Sequence, residues 1–410
     1  MRRVVVTGMG IVSPVGNNVP DFWDSLVKGK NGIGQITKFD TEGYKAKLAA
    51  EVKDFNPRDY MEKSDMLRSD RFVHLGYAAA CQAVEESGVC GTLPPERIGV
   101  YFGTGIGGIQ TFSEENRKLM EKGPRKVSPF FIPMMIANMA SGLIAIKFNC
   151  KGPSMPSVTA CASGANAIGE AVRAVRHGYI DAAVTGGSEA AVTEVGIAGF
   201  INMQALSVSE NPDEASLPFD KRRGGFVMGE GGAALIIEEY EHAVKRGAKI
   251  YAEITGYGVT CDAYHITAPR EDAEQSSRAI REALEESGYT GSEKVYVNAH
   301  GTGTPLNDVS ETTAVKKAFG EEKAYKDVII SSTKSMTGHL LGAAGAAEAI
   351  VCIKALNEGI IPPTINLIEK DPECDLNYTP CTAVKENVDI AVSNSLGFGG
   401  HNACLAFRRV

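Results

Sequence analysis

Val6-Thr7-Gly8-Met9-Gly10-Ile11, close to the start of the chain, returns as Ile254-Thr255-Gly256-Tyr257-Gly258-Val259 past its middle. Three further stretches repeat in the same order. Ala83-Val84-Glu85-Glu86-Ser87-Gly88 closes one helical pattern, and Ala283-Leu284-Glu285-Glu286-Ser287-Gly288 closes another. A strand running into Gly103-Thr104-Gly105 is matched by Val295-Tyr296-Val297 running into Gly301-Thr302-Gly303. Glu230-Gly231-Gly232 ahead of an apolar strand is matched by Phe398-Gly399-Gly400 ahead of another, through Phe407. Four echoes in register predict a duplicated chain, with halves 1–250 and 251–410, the first carrying insertions. Within each half short β-branched runs (Ile98–Phe102, Ser157–Ala160, Val328–Ser331) alternate with longer helical patterns, which predicts layered α/β units. Gly342-Ala343-Ala344-Gly345-Ala346-Ala347 opens a helix of small residues running to about Asn357. Small side chains let helices pack closely, so this helix is expected at the centre of a shared helical layer.

Composition sets the outer bounds. A chain of 410 residues with 43% hydrophobic and 22% charged residues folds rather than staying disordered, and it is too long for one small core. A net charge of −8 argues against general nucleic-acid binding, which needs a basic face to neutralise phosphates. No run of about 18 apolar residues occurs, so no membrane span is expected. Arg2-Arg3-Val4-Val5-Val6 reads as a first strand rather than a leader, because Gly-Met-Gly follows with no small-residue cleavage site. Nine cysteines without any CxxC pair indicate neither a disulfide framework nor zinc, and predict a reduced, cytoplasmic protein.

Three features could carry chemistry. Gly103-Thr104-Gly105-Ile106-Gly107-Gly108 satisfies GxGxxG, but a dinucleotide fold needs a second strand ending in an acid about 20 residues on. Pro124-Arg125-Lys126-Val127-Ser128-Pro129 follows instead, so a tight turn is the preferred reading. In Ser157-Val158-Thr159-Ala160-Cys161-Ala162-Ser163-Gly164 a β run ends at Ala160 and a helical run begins at or just after Cys161. A thiol there faces free N–H groups and the positive end of the helix dipole, both of which favour thiolate. Of only seven histidines, three fall in glycine-rich loops after apolar strands: His300 in Asn298–Pro305, His339 closing Ser332–His339, and His401 after Gly397-Phe398-Gly399-Gly400. Cysteine with histidine suggests thiol acyl transfer, and paired histidines suggest donors to a thioester oxygen that gathers negative charge. Histidine spacings of 39 and 62 residues, without HxxxH or HExxH, give no metal site.

Ala160-Cys161-Ala162-Ser163-Gly164, His300-Gly301-Thr302-Gly303-Thr304-Pro305, Lys334-Ser335-Met336-Thr337-Gly338-His339 and Gly397-Phe398-Gly399-Gly400 resemble the signature blocks of the β-ketoacyl-[acyl-carrier-protein] synthases. The likeness runs from the first strand to Phe407 and is strongest to the bacterial synthase II branch. It implies the thiolase fold, two similar five-stranded mixed sheets in an α-β-α-β-α arrangement, and a homodimer. It also implies fatty acid elongation by decarboxylative condensation, with acyl carrier protein as partner and no cofactor.

Carried over by motif, Cys161 would be the nucleophile that takes the acyl chain. His300 and His339 would hold the malonyl thioester oxygen as carbon dioxide leaves. The N–H groups of Cys161 and Phe398 would form the oxyanion hole, and Phe398 would also gate the two steps. Lys334 matches the lysine supporting the histidines, and Glu348 a buried acid behind it. Thr302 and Thr304 match residues that bind the pantetheine arm, with Gly399 in the neighbouring turn. Ile106 and Phe200 align with residues lining the acyl channel, although from sequence alone both read as core. The Arg125-Lys126 pair is the best local basic feature for docking an acidic carrier protein.

Departures are few. His401 replaces a threonine common in relatives and reads as structural, and Met134, Met135 and Met155 lie near expected channel or interface segments. A biosynthetic thiolase needs a second cysteine where Phe398-Gly399-Gly400-His401 stands, and the synthase III class has asparagine where His339 stands. A chain-length factor lacks the nucleophile that Cys161 supplies. A nicotinamide oxidoreductase would rest on the GxGxxG stretch alone. A synthase I-type enzyme or a polyketide ketosynthase with the same Cys-His-His chemistry is the runner-up.

Overall fold

The computed structural model describes residues 1–410. The first half of the chain supplies strands β1 (Val4–Val12), β2 (Ile98–Gly103), β3 (Ser154–Ser157), β4 (Ala182–Glu189) and β5 (Gly231–Glu239). The second supplies β6 (Ala252–Cys261), β7 (Val295–Asn298), β8 (Val328–Ser331), β9 (Ile390–Gly397) and β10 (His401–Arg408). Their order is β8-β7-β9-β10-β6-β1-β5-β4-β2-β3. Read outward from the centre, the two directions are copies: β6, β10, β9, β7 and β8 stand where β1, β5, β4, β2 and β3 stand. Strand senses agree as well. In each copy the first two pairings are antiparallel and the last two parallel. The two five-stranded groups meet only at Val5–Glu253 and Val6–Ala252, a short seam that joins them edge to edge into one ten-stranded sheet.

The repeated Thr-Gly-x-Gly stretch now has a physical reason. Helix α1 (Arg71–Ser87) lies across β1, and a Cβ on Gly8 or Gly10 would fall 2.2 Å from the Ala83 oxygen or 2.0 Å from that of Ala79. Helix α3 (Glu274–Glu286) lies across β6, where a Cβ on Gly256 or Gly258 would fall 1.9 Å from the oxygens of Ala283 and Ala279. Bare backbone on the strand lets the helix backbone settle flush against it. Pairing outward from Val6 and Ile254 aligns Gly103 with His300 and Glu189 with Gly397. The Gly-Thr-Gly echo is therefore offset by one residue: His300, not Gly301, is the counterpart of Gly103.

Between the sheets lie α2 (Ser163–Arg176) and α5 (Ala344–Glu358), inside the largest apolar cluster of the molecule. With α1 and α3 outside, and α4 (Pro305–Phe319) beside α3, the layers run α-β-α-β-α. Ile350, Val351, Ile353 and Leu356 of α5 are fully buried, each stabilising the fold by about 1.5–3 kcal/mol relative to exposure. The expected central small-residue helix is present. It begins at Ala344, after a 3₁₀ turn at Leu341–Ala343. No helix is long and apolar enough to cross a membrane.

Candidate active site

Two backbone devices present Cys161. Strand β3 ends at Ser157, three residues earlier than the sequence suggested, and Ala160 adopts φ +49°. That left-handed conformation costs about 1–2 kcal/mol for a residue with a Cβ. It turns the chain into a 3₁₀ turn, Ala160–Ala162, which runs straight into α2. The Ser163 hydroxyl pins the turn by accepting from the Thr159 N–H at 2.9 Å and donating to the Ala160 oxygen at 2.6 Å. Cys161 is thus at a helix start, as expected, but it is buried. Burial raises its thiol to about 12, against the opposing pull of the Lys334 charge. The helix start and the Lys334 charge favour thiolate, as expected, while desolvation works against it and prevails.

The histidines come from the other half of the molecule. His300 follows β7 in a loop held by the Glu311 carboxylate of α4, which accepts from the N–H groups of His300 and Gly301, each at 2.7 Å. Asn394 of β9 donates to the same carboxylate at 2.7 Å. Burial raises the Glu311 carboxyl to about 7. His339 accepts a hydrogen bond at Nδ1 from the Leu341 N–H at 3.3 Å. Both imidazoles are held well below the ordinary histidine value, by burial first and by the Lys334 charge second. A neutral ring accepting at Nδ1 carries its proton on Nε2. His339 Nε2–H, like His300 Nδ1, is buried without a partner.

Lys334 is paired with Glu348 of α5, both buried, and this pair stands beside the two imidazoles. Across from Cys161, β9 and β10 are linked by the turn Phe398–Gly400. A Cβ on Gly397 would lie 3.3 Å from the Cys161 nitrogen and 2.7 Å from the Thr159 oxygen, so only glycine allows this approach. Neither the Cys161 nor the Phe398 N–H donates to another backbone group. Both amides are thus free to donate to an external acceptor, which an oxyanion hole needs.

Cys161, His300, His339, Phe200, Phe398, Thr302 and Thr304 line one cavity of about 660 Å³. A run of rings crosses it. His300 meets His339 edge to face at 5.2 Å, His339 meets Phe226 at 5.2 Å, Phe226 meets Phe200 at 5.6 Å, and Phe200 stacks on Phe398 at 6.3 Å. The hydroxyls of Thr302 and Thr304 lie 3.0 Å apart in the loop between β7 and α4. Exposed Met203, Ile266 and Leu306 give the cavity an apolar rim.

Other expected residues sit elsewhere. Ile106 is 40% exposed and does not line this cavity, which corrects its reading as core. Gly399, at φ +86°, is not among the cavity-lining residues, and its N–H donates to the oxygen of Ile266, which is, at 2.8 Å. Arg125 and Lys126 are exposed on the 3₁₀ turn Pro124–Lys126, outside the cavity wall. Met155 is exposed on β3, at one end of the sheet, and His401 opens β10 opposite Cys261. The GxGxxG loop is occupied from within: Glu189 accepts from the N–H groups of Gly105 and Ile106, at 2.6 and 3.2 Å. A loop whose amides already hold a carboxylate does not also cradle a phosphate.

Sequence reasoning missed Phe226, Glu311, Asn394 and Glu189. Glu311 had one signal, an acid two turns into a helix opened by Pro305; the others lie in strands or loops whose neighbours come from distant chain segments.

The comparisons agree with this geometry. The model for the β-ketoacyl synthase N-terminal domain matches residues 1–243, and that for the C-terminal domain matches 251–368. The chain is 52% identical over 410 residues to a 3-oxoacyl-[acyl-carrier-protein] synthase 2 of Synechocystis sp., spanning 100% of this chain and 98% of the relative. It is 49% identical over 409 residues to the protein of that name in Staphylococcus aureus, again across 100% and 98% of the two. Among solved structures, a β-ketoacyl synthase from Burkholderia phymatum matches with a TM-score of 0.92 at 34% identity, covering 100% of both chains. A polyketide ketosynthase solved with its acyl carrier protein matches with a TM-score of 0.92 at 32% identity, covering 100% of this chain and 99% of that one. With both domain models matched in order on a thiolase-like framework, the chain belongs to the β-ketoacyl synthase family.

Proposed function

We propose that this protein is a 3-oxoacyl-[acyl-carrier-protein] synthase of the type 2 class, elongating fatty acids by two carbons per turnover. The observation that carries this reading is the meeting, in one cavity, of Cys161 at a helix start with His300 and the Nε2–H of His339. Cys161 attacks the acyl thioester of one carrier protein; a C–S bond forms, and the pantetheine sulfur leaves with the thiol proton. Malonyl thioester then enters past Thr302 and Thr304. His300 and His339 donate to its carbonyl oxygen while the bond to the carboxylate breaks. Carbon dioxide departs and the electron pair stays on the neighbouring carbon, so no base has to remove a carbon-bound proton. That carbon attacks the acyl-Cys161 carbonyl, whose oxyanion takes the N–H groups of Cys161 and Phe398. Collapse expels the Cys161 sulfur, which takes a proton from solvent to regenerate the thiol, and leaves a 3-oxoacyl thioester. Every electron pair is accounted for by substrate and side chains, so this scheme invokes no cofactor. Lys334 and Glu348 support the histidines, and stacking of Phe398 on Phe200 supports a gating role for Phe398.

We further infer a homodimer closed through β3, which pairs on one side only and carries exposed Met155, with exposed Ile132 and Ile146 on neighbouring helices. Arg125 and Lys126 are assigned to docking of an acidic carrier protein. A reducing, cytoplasmic setting is supported by nine unpaired cysteines. Purified protein supplied with acyl- and malonyl-carrier proteins should release carbon dioxide and form a 3-oxoacyl product two carbons longer. Absence of that product across a ladder of acyl chains would overturn the assignment. An identity of about half to proteins named 3-oxoacyl-[acyl-carrier-protein] synthase 2, against about a third to a polyketide ketosynthase, favours the former.

A further inference from the structure

The duplication leaves one site open and its counterpart filled. Cys161 and Gly342 are equivalents: each sits in a 3₁₀ turn that opens a central helix, and each follows a residue at φ +49°, Ala160 and Leu341. Strand pairing likewise makes Gly397 the equivalent of Glu189. Beside Cys161, Gly397 contributes no side chain and the Cys161 N–H stays free. Beside Gly342, the fully buried Glu189 side chain occupies that place and accepts from the Gly342 N–H at 3.1 Å.

The same carboxylate has further donors. Oε2 also takes the Gly105 N–H at 2.6 Å, and Oε1 takes the Thr104 hydroxyl at 3.0 Å, the Ile106 N–H at 3.2 Å and the Gly107 N–H at 3.4 Å. Glu189 therefore ties the loop after β2 to the Leu341–Gly342 turn. That loop lies behind the nucleophile, since a Cβ on Gly105 would meet the Ala160 oxygen at 3.2 Å. The Leu341 N–H, adjacent to the Gly342 N–H that Glu189 holds, is the group that fixes the tautomer of His339.

We propose that Glu189 is a positioning residue for the reaction: by holding the Gly342 amide it orients the Leu341 N–H, and so keeps the His339 proton on Nε2, facing the substrate. This inference rests on the condensation reading above but goes beyond it, because Glu189 touches neither the cavity nor any reacting atom. Gln in its place keeps one acceptor oxygen and turns an amide NH₂ toward N–H groups, which releases one side of the tie.

The test uses the full-length protein with Glu189→Gln and Glu189→Asp, ¹⁵N-labelled histidine and steady-state condensation kinetics. In Glu189→Gln, kcat is expected to fall about tenfold to a hundredfold with KM for malonyl-carrier protein little changed. The His339 nitrogen shifts should move from the pure Nε2–H pattern to a mixture of tautomers. Glu189→Asp, which keeps the charge but is one methylene short, should fall between and keep the question open to test if the Gln variant does not fold. Wild-type kcat with an unchanged His339 spectrum in either folded variant overturns the proposal. Failure of both variants to fold also overturns it, since Glu189 would then serve folding alone. Wild-type protein that does not condense removes the proposed function instead, and the tautomer measurement, which needs no turnover, still judges Glu189.

Discussion

The imidazoles of His300 and His339 stand edge to face, their centroids 5.2 Å apart and their planes at 85°. Neither ring lies on the same loop as Cys161, yet both share its cavity. Burial first, and the Lys334 charge second, keep both rings neutral, so each carries one N–H to donate and the two do not repel as a pair of cations.

Neutrality is directly measurable. Because burial and Lys334 depress both histidines, NMR titration of their ring protons should show no inflection between about pH 8 and about pH 6. The unfolded chain takes up these protons at the ordinary histidine value while the folded chain does not. Stability therefore falls as pH drops below about 6.5. A ring titrating at its ordinary value would contradict the arrangement.

Removing one donor should separate the two half-reactions. His339→Ala is expected to lower decarboxylation of malonyl-carrier protein by about 10²–10³-fold, the usual cost of one oxyanion donor. Mass spectrometry should still detect the acyl adduct on Cys161. Cys161→Ala should show the reverse, with no adduct and no condensation. Elongation by the Cys161→Ala protein would mean that the nucleophile is another residue.

Lys334→Ala strands the Glu348 carboxylate in the core. Breaking a buried pair from one side costs about 3–5 kcal/mol, which a urea transition would register. Lys334→Met combined with Glu348→Leu leaves no lone charge and should lose less stability than Lys334→Ala. Equal losses would show that the charge pair is not what the single substitution disturbs.

Gly397→Ala places a methyl 2.7 Å from the Thr159 oxygen and 3.3 Å from the Cys161 nitrogen. The turn carrying Cys161 must shift, so acyl transfer is expected to drop at least about tenfold, since reacting groups tolerate little displacement. Unimpaired single-turnover acylation would show that the Cys161 amide takes no part.

Much of the framework was readable in advance because its signals are local. Gly8, Gly10, Gly256 and Gly258 repeat because a helix lies flush on a strand twice, and that demand is written in adjacent residues. Cys161 and the two histidines stood out by residue type at the ends of strands. Glu189 and Phe226 did not, because each matters through a group 80 or more residues away: Glu189 through Gly105, Phe226 through His339. Glu311 lies only 11 residues from His300, but nothing in that stretch says that its carboxylate turns back to the loop. The same limit hid the exposure of Ile106, whose apolar side chain says nothing about which neighbours surround it.

The chain alone determined the duplication and the α/β layering and marked Cys161, His300 and His339 as candidates, since periodicity, glycine placement and motif spacing are properties of consecutive residues. Only the folded molecule decided the protonation of that chemistry: desolvation raises the Cys161 thiol, and the Leu341 amide selects the His339 tautomer. Charge states and proton positions depend on burial and on partners from remote segments, and those exist only once the two halves have closed on each other.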